Sequence, residues 1–199
     1  QGSQTSLRRR LPYVGPLHSL SFKLLGLSRD QVVTPARLRE FCDLANLAPP
    51  KTSSGYVSDE IDTTLPGDLG FSPDEIEVVQ YVASAAAHRM IPVEDALDLI
   101  QWEQASRTTP ERIVYLVGRY HTWKQEHDLL DFDDMLVRGL LLNPPVRAIL
   151  ADEVQDNSPL LWSVLDAWAK DKPLLVLSGD PYQCQPAGTM IRTTQHGDV

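Results

Sequence analysis

Cysteine is scarce in this sequence of 199 residues, and no long apolar run is present. The two cysteines, Cys42 and Cys184, lie far apart and have no metal-ligand spacing, which argues against a disulfide framework or a zinc site. No apolar stretch is long enough to cross a bilayer, and no charged start leads into a cleavable leader. We therefore expect an intracellular, cytoplasmic protein without a membrane partner.

Positive charge is also in short supply, because 18 Lys and Arg face 27 Asp and Glu and give a net charge of −9. This balance argues against a protein that coats DNA by bulk electrostatics. It leaves room for a local basic track, and residues 8–10 form the densest run of arginines, for which a solvated face is the alternative. The length and the 42% hydrophobic content suit one generous domain or a compact core with an insertion.

Apolar residues at helical spacing dominate the chain before residue 146, after a short strand or extended entry at residues 13–17. A first helix is predicted from His18 to Leu27. Thr34, followed by a proline, marks the start of a second helix. The inward face of that helix is predicted to comprise Leu38, Phe41 and Leu44. Residues 49–70 are rich in Pro, Gly, Ser and Asp and are typical of a loop.

A capping box of Ser72 and Glu75, with Pro73 at the first helical position, predicts the next helix. Its apolar face is expected to comprise Ile76, Val79 and Ala83. Further helices are predicted over residues 93–105, 110–124 and 132–142. The middle of the chain should therefore be a helical block of roughly one hundred residues.

A strand, a helix and a second strand are predicted next. Apolar runs at residues 146–151 and 174–177 are typical of strands buried on both faces of a parallel sheet. Between them, Ser158 and Pro159 start an amphipathic helix. Its inward residues are predicted to be Leu161, Val164, Leu165 and Trp168. Because such a crossover is almost always right-handed with parallel strands, the residues after both strands should meet at one sheet edge, where open α/β sheets bind ligands.

Two polar clusters follow these strands, Asp-Glu-Val-Gln-Asp at residues 152–156 and Gly-Asp-Pro-Tyr-Gln at residues 179–183. Nucleotide hydrolysis explains both, because one carboxylate must hold Mg²⁺, another must orient or deprotonate the attacking water, and an amide can sense the γ-phosphate. Asp152, Glu153 and Gln183 suit these roles in that order. The alternative is that the acidic pair merely caps the following helix.

With these residues the sequence resembles the UvrD/PcrA/Rep-like superfamily 1 DNA helicases. Residues 152–156 are similar to motif II of that family and residues 179–183 to motif III. Residues 17–22, Leu-His-Ser-Leu-Ser-Phe, resemble the segment just before the inserted 1B domain. Residues 131–136, Asp-Phe-Asp-Asp-Met-Leu, resemble the segment where the chain returns from it. The order and spacing of these segments are those of the family.

The resemblance implies an α/β fold, namely a partial RecA-like parallel sheet of the P-loop NTPase type with a large inserted all-α domain. Residues 1–27 and 131–199 would belong to the RecA-like core 1A, and residues 28–130 would form the inserted helical domain 1B. The implied activity is ATP-dependent translocation on single-stranded DNA, usually from 3′ to 5′, with ATP and Mg²⁺ as cofactors. Implied partners are single-stranded DNA or a single-strand/duplex junction and accessory repair or replication proteins, with a location at the nucleoid.

The resemblance also assigns roles in nucleotide chemistry. Asp152 would be the Mg²⁺ ligand, with Glu153 beside it as the catalytic base. Gln183 would couple the γ-phosphate to DNA, and Asp180 would belong to the same nucleotide site. The bracing residues of this site would be Gln155 and Asp156.

Four residues are expected to contact DNA by the same resemblance: His18, Ser19, Phe22 and Tyr182. His18 and Ser19 lie at the N-terminal end of a predicted helix, where side-chain or backbone donors can bind phosphates. For His18 the alternative is a histidine satisfied within the core. Asp131 is a natural N-cap, and acidic residues favour the first turn of a helix, so the acidic stretch at 131–134 stays outside the catalytic set.

The sequence departs from the family in what it lacks. No Gly-rich loop ending in Gly-Lys-Ser or Gly-Lys-Thr is present, and Cys184 follows Gln183 where the family usually has aromatic residues that stack on DNA bases. A second RecA-like domain with arginine fingers is also absent. We therefore expect a fragment of the motor, inactive as an isolated chain.

Two alternatives stay open. The chain could be a DNA- or protein-binding module without ATPase activity of its own, which the absent phosphate-binding loop favours. It could also be the motor part of a helicase-nuclease or of an RNA-directed motor, which the motifs do not separate from a DNA helicase.

Overall fold

A computed structural model of the protein describes residues 13–50, 74–100 and 108–180. The regular elements in these ranges, in chain order, are α1 (Leu17–Leu24), α2 (Pro35–Ala45), α3 (Glu75–Arg89), α4 (Val93–Ala96), α5 (Pro110–Glu126), α6 (Phe132–Gly139), β1 (Ala148–Ala151), α7 (Pro159–Ala169) and β2 (Leu174–Leu177). Short 3₁₀ turns occupy Arg29–Gln31, Leu97–Leu99 and Val154–Asp156. The described chain is thus a mixture of helices and a small sheet.

Hydroxyl caps followed by proline begin three of the helices. Thr34, Thr109 and Ser158 each accept a hydrogen bond from a backbone N–H three residues on, all at 3.3 Å. The proline after each cap has no N–H to leave unsatisfied in the first turn. The starts of α2 and α7 are therefore where the sequence predicts them.

The start of α3 differs from the prediction. Asp74, not Ser72, is the N-cap, and its backbone N–H donates to the Glu77 carboxylate at 3.0 Å. Two overlapping capping boxes compete in this stretch, and the one formed by Asp74 and Glu77 prevails. Ser72 and Pro73 themselves lie outside the described residues, as does most of the loop predicted at 49–70. The predicted inward residues Ile76 and Val79 are fully buried.

The sequence predicts a short strand or an extended entry before α1, and residues 13–16 form no strand, while Pro16 has extended backbone angles. Two other predicted boundaries are wrong. The helix predicted at 93–105 leaves α-helical geometry after Ala96, because side chains at 97, 99 and 100 all pack on one core and a continuous α-helix would spread them around its circumference. α6 ends at Gly139, whose carbonyl accepts from both the Trp168 indole and the Leu142 backbone N–H.

One apolar core lies among helices α2, α3 and α5. At its centre the ring of Phe41 lies 5.2 Å from that of Tyr120 and 5.4 Å from that of Trp123. Leu44, predicted to face this core, is instead 63% exposed. At 3.6 residues per turn it points about 120° away from Leu38 around the helix, whereas Cys42 lies beside Leu38 and is buried.

A second apolar core joins α1, α6 and α7 with β1. Its buried centre comprises Leu136, Leu160, Val164 and Trp168. Leu17, Leu20 and Leu24 of α1 pack onto it, and so does Ala87 of α3. The two cores are therefore in contact at the C-terminal end of α3.

The sheet in the described part of the chain has two parallel strands, with Ala148 opposite Leu174 and Ala151 opposite Leu177. This pairing confirms the predicted strand, helix and strand unit. The prediction that both strands are buried on both faces is wrong for the described residues, since every side chain of β2 is more than 40% exposed and Leu150 is 67% exposed. With two strands only, β2 has no further strand beside it there.

Among the described helices, none combines the length and the apolar character that a membrane span requires.

Candidate active site

The acidic residues after β1 occupy a sharp turn. Asp152 and Glu153 are exposed, and Glu153 has φ 55° and ψ 36°, a left-handed conformation that is uncommon for a residue with a side chain. The chain then forms the 3₁₀ turn at Val154–Asp156, and Ser158 caps α7 two residues later. This turn places two carboxylates at the tip of the strand, where solvent and ligands can reach them.

Backbone hydrogen bonds join the ends of the two strands. Ser178 N–H donates to the Ala151 carbonyl at 2.8 Å, and Val154 N–H donates to the Ser178 carbonyl at 3.1 Å. The segments after β1 and β2 therefore meet at the same edge of the sheet. This confirms the position that the right-handed crossover predicts for them.

Gln155 connects the two polar clusters. Its side chain is buried, with only 6% of the residue exposed. The amide oxygen accepts from Asp180 N–H at 3.1 Å, while the amide nitrogen lies 2.6 Å from a Glu153 carboxylate oxygen and 3.3 Å from one of Asp156. One side chain thus fixes the spacing between three residues of the candidate site.

Gly179 permits this close approach. A Cβ at this position would collide with the Gln155 amide oxygen and would lie 3.2 Å from a methyl group of Val154. A residue without a side chain therefore lets the second strand end pass over the acidic turn without displacing the Gln155 amide.

Carboxylate oxygens are the ligands that Mg²⁺ prefers, and this ion commonly uses one or two of them together with phosphate oxygens and water. Asp152 and Glu153 supply such a pair on an exposed edge. In residues 13–50, 74–100 and 108–180, no three His, Cys, Asp or Glu side chains are grouped to hold a metal ion alone. The donor set fits a magnesium ion that also takes ligands from a bound nucleotide.

The residues predicted to contact DNA are only partly described. His18 lies in the first turn of α1, half-buried, with its ring 4.6 Å from that of Phe132 in α6. Ser19 and Phe22 are half-buried on the same helix. Tyr182 and Gln183 lie outside the described residues. His18 therefore has a packing partner, and its half-burial leaves part of the residue in contact with solvent.

A buried ion cluster lies under the acidic segment that begins α6. Lys124, with 4% of its side chain exposed, has its ammonium 2.5 Å from a carboxylate oxygen of both Asp131 and Asp134. Tyr120 donates its hydroxyl to Asp131 at 3.1 Å. Asp131 also accepts from Asp134 N–H, so its predicted role as an N-cap is confirmed.

The cluster shifts the pKa values of Asp131 and Asp134 in opposite directions. Burial acts to raise the pKa of Asp131, but the charge and hydrogen bonds of Lys124 outweigh it and the net pKa is lowered. Burial and the charge of Asp131 raise the pKa of Asp134 to about 6. The acidic residues were visible in the sequence, but nothing in the pattern of α5 marked Lys124 as their partner.

A second buried network was not predicted at all. His88, at the end of α3, lies with Nδ1 2.8 Å from Ser158 Oγ and with Nε2 3.0 Å from Asp133 Oδ1. The three residues come from sequence positions far apart, and the sequence singled out Ser158 only as a helix cap. No local pattern could have brought them together.

The sequence matches the family model described as the UvrD/REP helicase N-terminal domain over residues 17–184. A comparison with curated proteins finds no match. The matched range contains both polar clusters, the segment of α1 that holds His18, and the buried networks described above.

Proposed function

Because this chain belongs to the UvrD/REP helicase family, we propose that its acidic strand edge serves ATP hydrolysis in a motor that moves on single-stranded DNA. The observation that carries this proposal is the bond from Asp180 N–H to Gln155, which brings the segments after both strands to one edge. A pair of exposed carboxylates beside a fixed second loop is what phosphoryl transfer to water needs.

Each residue of the edge has a task in this proposal. Asp152, with Glu153, holds Mg²⁺, which supplies charge neutralisation for the phosphates when it is bound. Glu153 orients the attacking water and takes its proton, while Gln155 holds one Glu153 oxygen at 2.6 Å and so fixes the carboxylate plane. Asp180 completes the nucleotide site, and Gln183 reports the state of the γ-phosphate to the DNA site.

We assign the two apolar cores to two domains. The core of α2, α3 and α5 supports an inserted all-α domain 1B over residues 28–130. The core around α7 and the parallel strands supports a partial RecA-like core 1A formed by residues 1–27 and 131–199. A pair of strands with a crossover helix is the repeating unit of such a parallel sheet.

We place the DNA path beside α1, where His18, Ser19 and Phe22 are half-buried and keep part of their surface in solvent. Tyr182 follows the second strand and joins this set as a stacking residue. The proposal includes movement from 3′ to 5′ on single-stranded DNA or at a single-strand/duplex junction, which the usual behaviour of the family supports. Accessory repair or replication proteins are further partners under this proposal.

The sequence contains no Gly-Lys-Ser or Gly-Lys-Thr, and so lacks the backbone cradle and lysine that normally hold the triphosphate. We assign that cradle to another polypeptide segment. The same observation favours one alternative, namely that the chain is a DNA- or protein-binding module without ATPase activity. A motor attached to a nuclease would use the same edge in the same way.

The proposed function is tested with Glu153→Gln in a protein that joins this chain to a phosphate-binding loop and a second motor domain. The amide preserves shape and hydrogen bonding but cannot accept the proton, so hydrolysis should fall by about a hundredfold to ten-thousandfold. Nucleotide binding should persist, because the Asp152 carboxylate remains.

The matched control is Asp156→Asn, which changes a bracing carboxylate 3.3 Å from the Gln155 amide and should reduce turnover less. Single-turnover hydrolysis and filter-binding of DNA are measured for both variants. Near-normal hydrolysis by the Glu153→Gln protein would exclude the catalytic assignment.

A further inference from the structure

His88 lies at the meeting point of three elements. It occupies the last turn of α3, with only 8% of the residue exposed, and contacts Asp133 in the first turn of α6 and Ser158 at the cap of α7. Nearby, Ala87 packs into the second core, and the Ser163 hydroxyl of α7, which donates to the Pro159 carbonyl, lies 3.3 Å from the Met90 sulfur. The end of α3 is therefore fixed against α7 by polar and apolar contacts together.

The hydrogen bonds of this network have one consistent direction. Leu161 N–H donates to Ser158 Oγ at 3.3 Å, so the serine oxygen is already an acceptor. The Asp133 carboxylate can only accept, and therefore takes the Nε2–H of His88. In a neutral imidazole Nδ1 is then the acceptor for the Ser158 hydroxyl proton. Each donor in this chain of hydrogen bonds therefore has an acceptor. Leu161 donates to Ser158, Ser158 to His88, and His88 to Asp133.

The other neutral tautomer, with the proton on Nδ1, would break this order. Nδ1–H would then donate to Ser158 Oγ, and the serine proton would need another acceptor in a place where only 7% of Ser158 is exposed. For the neutral imidazole, the arrangement of the network thus selects the Nε2–H tautomer over the Nδ1–H tautomer.

Serine, histidine and aspartate in contact invite comparison with a hydrolytic triad, but the geometry opposes it. The Ser158 hydroxyl is a helix cap for Leu161 N–H, and a nucleophile needs an accessible oxygen at the mouth of a cleft. Burial of both Ser158 and His88 leaves no access for a substrate carbonyl. The network holds elements in place and does not perform chemistry.

Ser158 is also close in sequence to the acidic turn, since Gln155 and Asp156 end the 3₁₀ turn two residues before it. Rotation or retreat of α3 would remove the acceptor of the Ser158 hydroxyl and loosen the start of α7. Because Gln155 fixes Glu153 and Asp180, a looser turn changes the spacing of the candidate active site.

We propose that His88 is a positioning residue that links the helical layer of α2, α3 and α5 to the acidic turn through the cap of α7. Contacts made by that helical layer would thereby change the position of the Glu153 carboxylate. The consequence for hydrolysis rests on the proposed function, whereas the link itself does not.

The link is tested on the chain by amide hydrogen exchange. His88→Ala should raise the exchange rates of the amides at 155, 156 and 161 by about tenfold, the effect expected when a buried hydrogen-bond partner is lost. The matched control is Arg89→Ala, an exposed change in the same turn of α3. Equal exchange in a folded His88→Ala chain and the control would overturn the proposal.

A conservative variant separates positioning from simple packing. The amide of His88→Gln can accept from Ser158 and donate to Asp133, so exchange at Gln155 and Leu161 should return to within about twofold of the wild type. His88→Leu fills space without these bonds and should behave as the alanine variant does. Equal rescue by leucine and glutamine would show that packing alone acts, and would refute the link.

The unmodified chain provides a measurement that survives if the variants do not fold. At a pH where the His88 ring is neutral, its nitrogen-15 shifts should place the proton on Nε2. A neutral ring with its proton on Nδ1 instead would contradict the assigned direction of the network and overturn the proposal.

In the complete motor, the His88→Ala change should lower DNA-stimulated kcat for ATP while leaving the KM for ATP within about twofold. The exchange and nitrogen-15 measurements do not involve ATP. Failure of the positioning role and failure of the proposed function are therefore distinguishable.

Discussion

Lys124 shows how much one residue outside the candidate active site contributes to the architecture. Its ammonium is the shared partner of Asp131 and Asp134, the two carboxylates of the capping box that begins α6. Since α6 begins where the chain leaves the helical layer, the side chain of Lys124 in α5 fixes the direction in which the chain enters the second core.

We predict that Lys124→Met lowers the free energy of unfolding by roughly 3–5 kcal/mol, because it leaves two partly buried carboxylates without their cation. Urea denaturation followed by Trp fluorescence measures the change. Lys170→Met, an exposed lysine at the end of α7, is the matched control and should change stability by less than about 0.5 kcal/mol. Similar losses in both variants would contradict the role given to Lys124.

Asp134 should make stability depend on pH in an unusual direction. Its pKa is raised from 3.8 in the unfolded chain to about 6 in the fold, so the folded state binds more protons between these values. Its contribution to the unfolding free energy is then greatest at low pH and is lost as pH rises through about 6. The lowered pKa of Asp131 acts oppositely, with stability lost as pH falls below 3.8.

We predict that Asp134→Asn removes the part of the stability that decreases between pH 3.8 and about 6. The asparagine oxygen can still accept at the cap, so the helix start should persist. Thermal unfolding of both proteins across this pH range measures the difference. Parallel pH profiles for the two proteins would show that another group titrates.

At the scale of elements, the contact between Gly179 and Gln155 determines how the two strand ends fit together. Gly179→Ala places a methyl group against the Gln155 amide, and the overpacking should cost about 1–3 kcal/mol and separate Asp180 from the acidic turn. Calorimetric unfolding and exchange of the Asp180 amide measure both effects.

Gly118→Ala is the matched control for that substitution. Gly118 lies in the middle of α5 with open space where a Cβ would be, so alanine there should stabilise the helix by about 0.5–1 kcal/mol. Opposite signs for the two glycines are expected, and equal destabilisation would contradict the steric argument.

The elements were predictable where the cause is local. Caps such as Thr34 and Ser158, and the crossover between the strands, depend on a few neighbouring residues, and the structure has them as predicted. The exposure of Leu44 and the early end of the helix that starts at Val93 were not predictable, because both depend on which face the other helices cover. The link from His88 to Ser158 spans 70 residues of sequence, and no periodicity reports it.

At the scale of the whole molecule, the sequence predicts where the candidate site lies but does not predict how exposed its second strand is. Topology alone places Asp152 and Asp180 at one edge, and the structure confirms that the segments after both strands meet there. The exposure of β2 could not be predicted from its apolar residues, since burial of a strand depends on partners that the strand itself does not encode.

We predict that the 199-residue chain alone binds Mg²⁺-ATP weakly and does not hydrolyse it, since Asp152 cannot replace a backbone cradle and its lysine. Isothermal titration and a phosphate-release assay measure this. The control is a protein that joins the chain to a Gly-Lys-Ser/Thr loop. Micromolar affinity for the unmodified chain would show that its own residues form a complete triphosphate site.

The exposure of strand β2 among the described residues also has a consequence for how the protein behaves in concentrated solution. Leu174–Leu177 is a run of four apolar, uncharged side chains at the edge of the described sheet, the kind of segment that pairs with identical copies into intermolecular sheets. Asp171, Lys172 and Pro173 stand immediately before it. Charge and proline at that flank act as gatekeepers against such stacking, so these three residues protect the chain from aggregation whenever the strand is exposed.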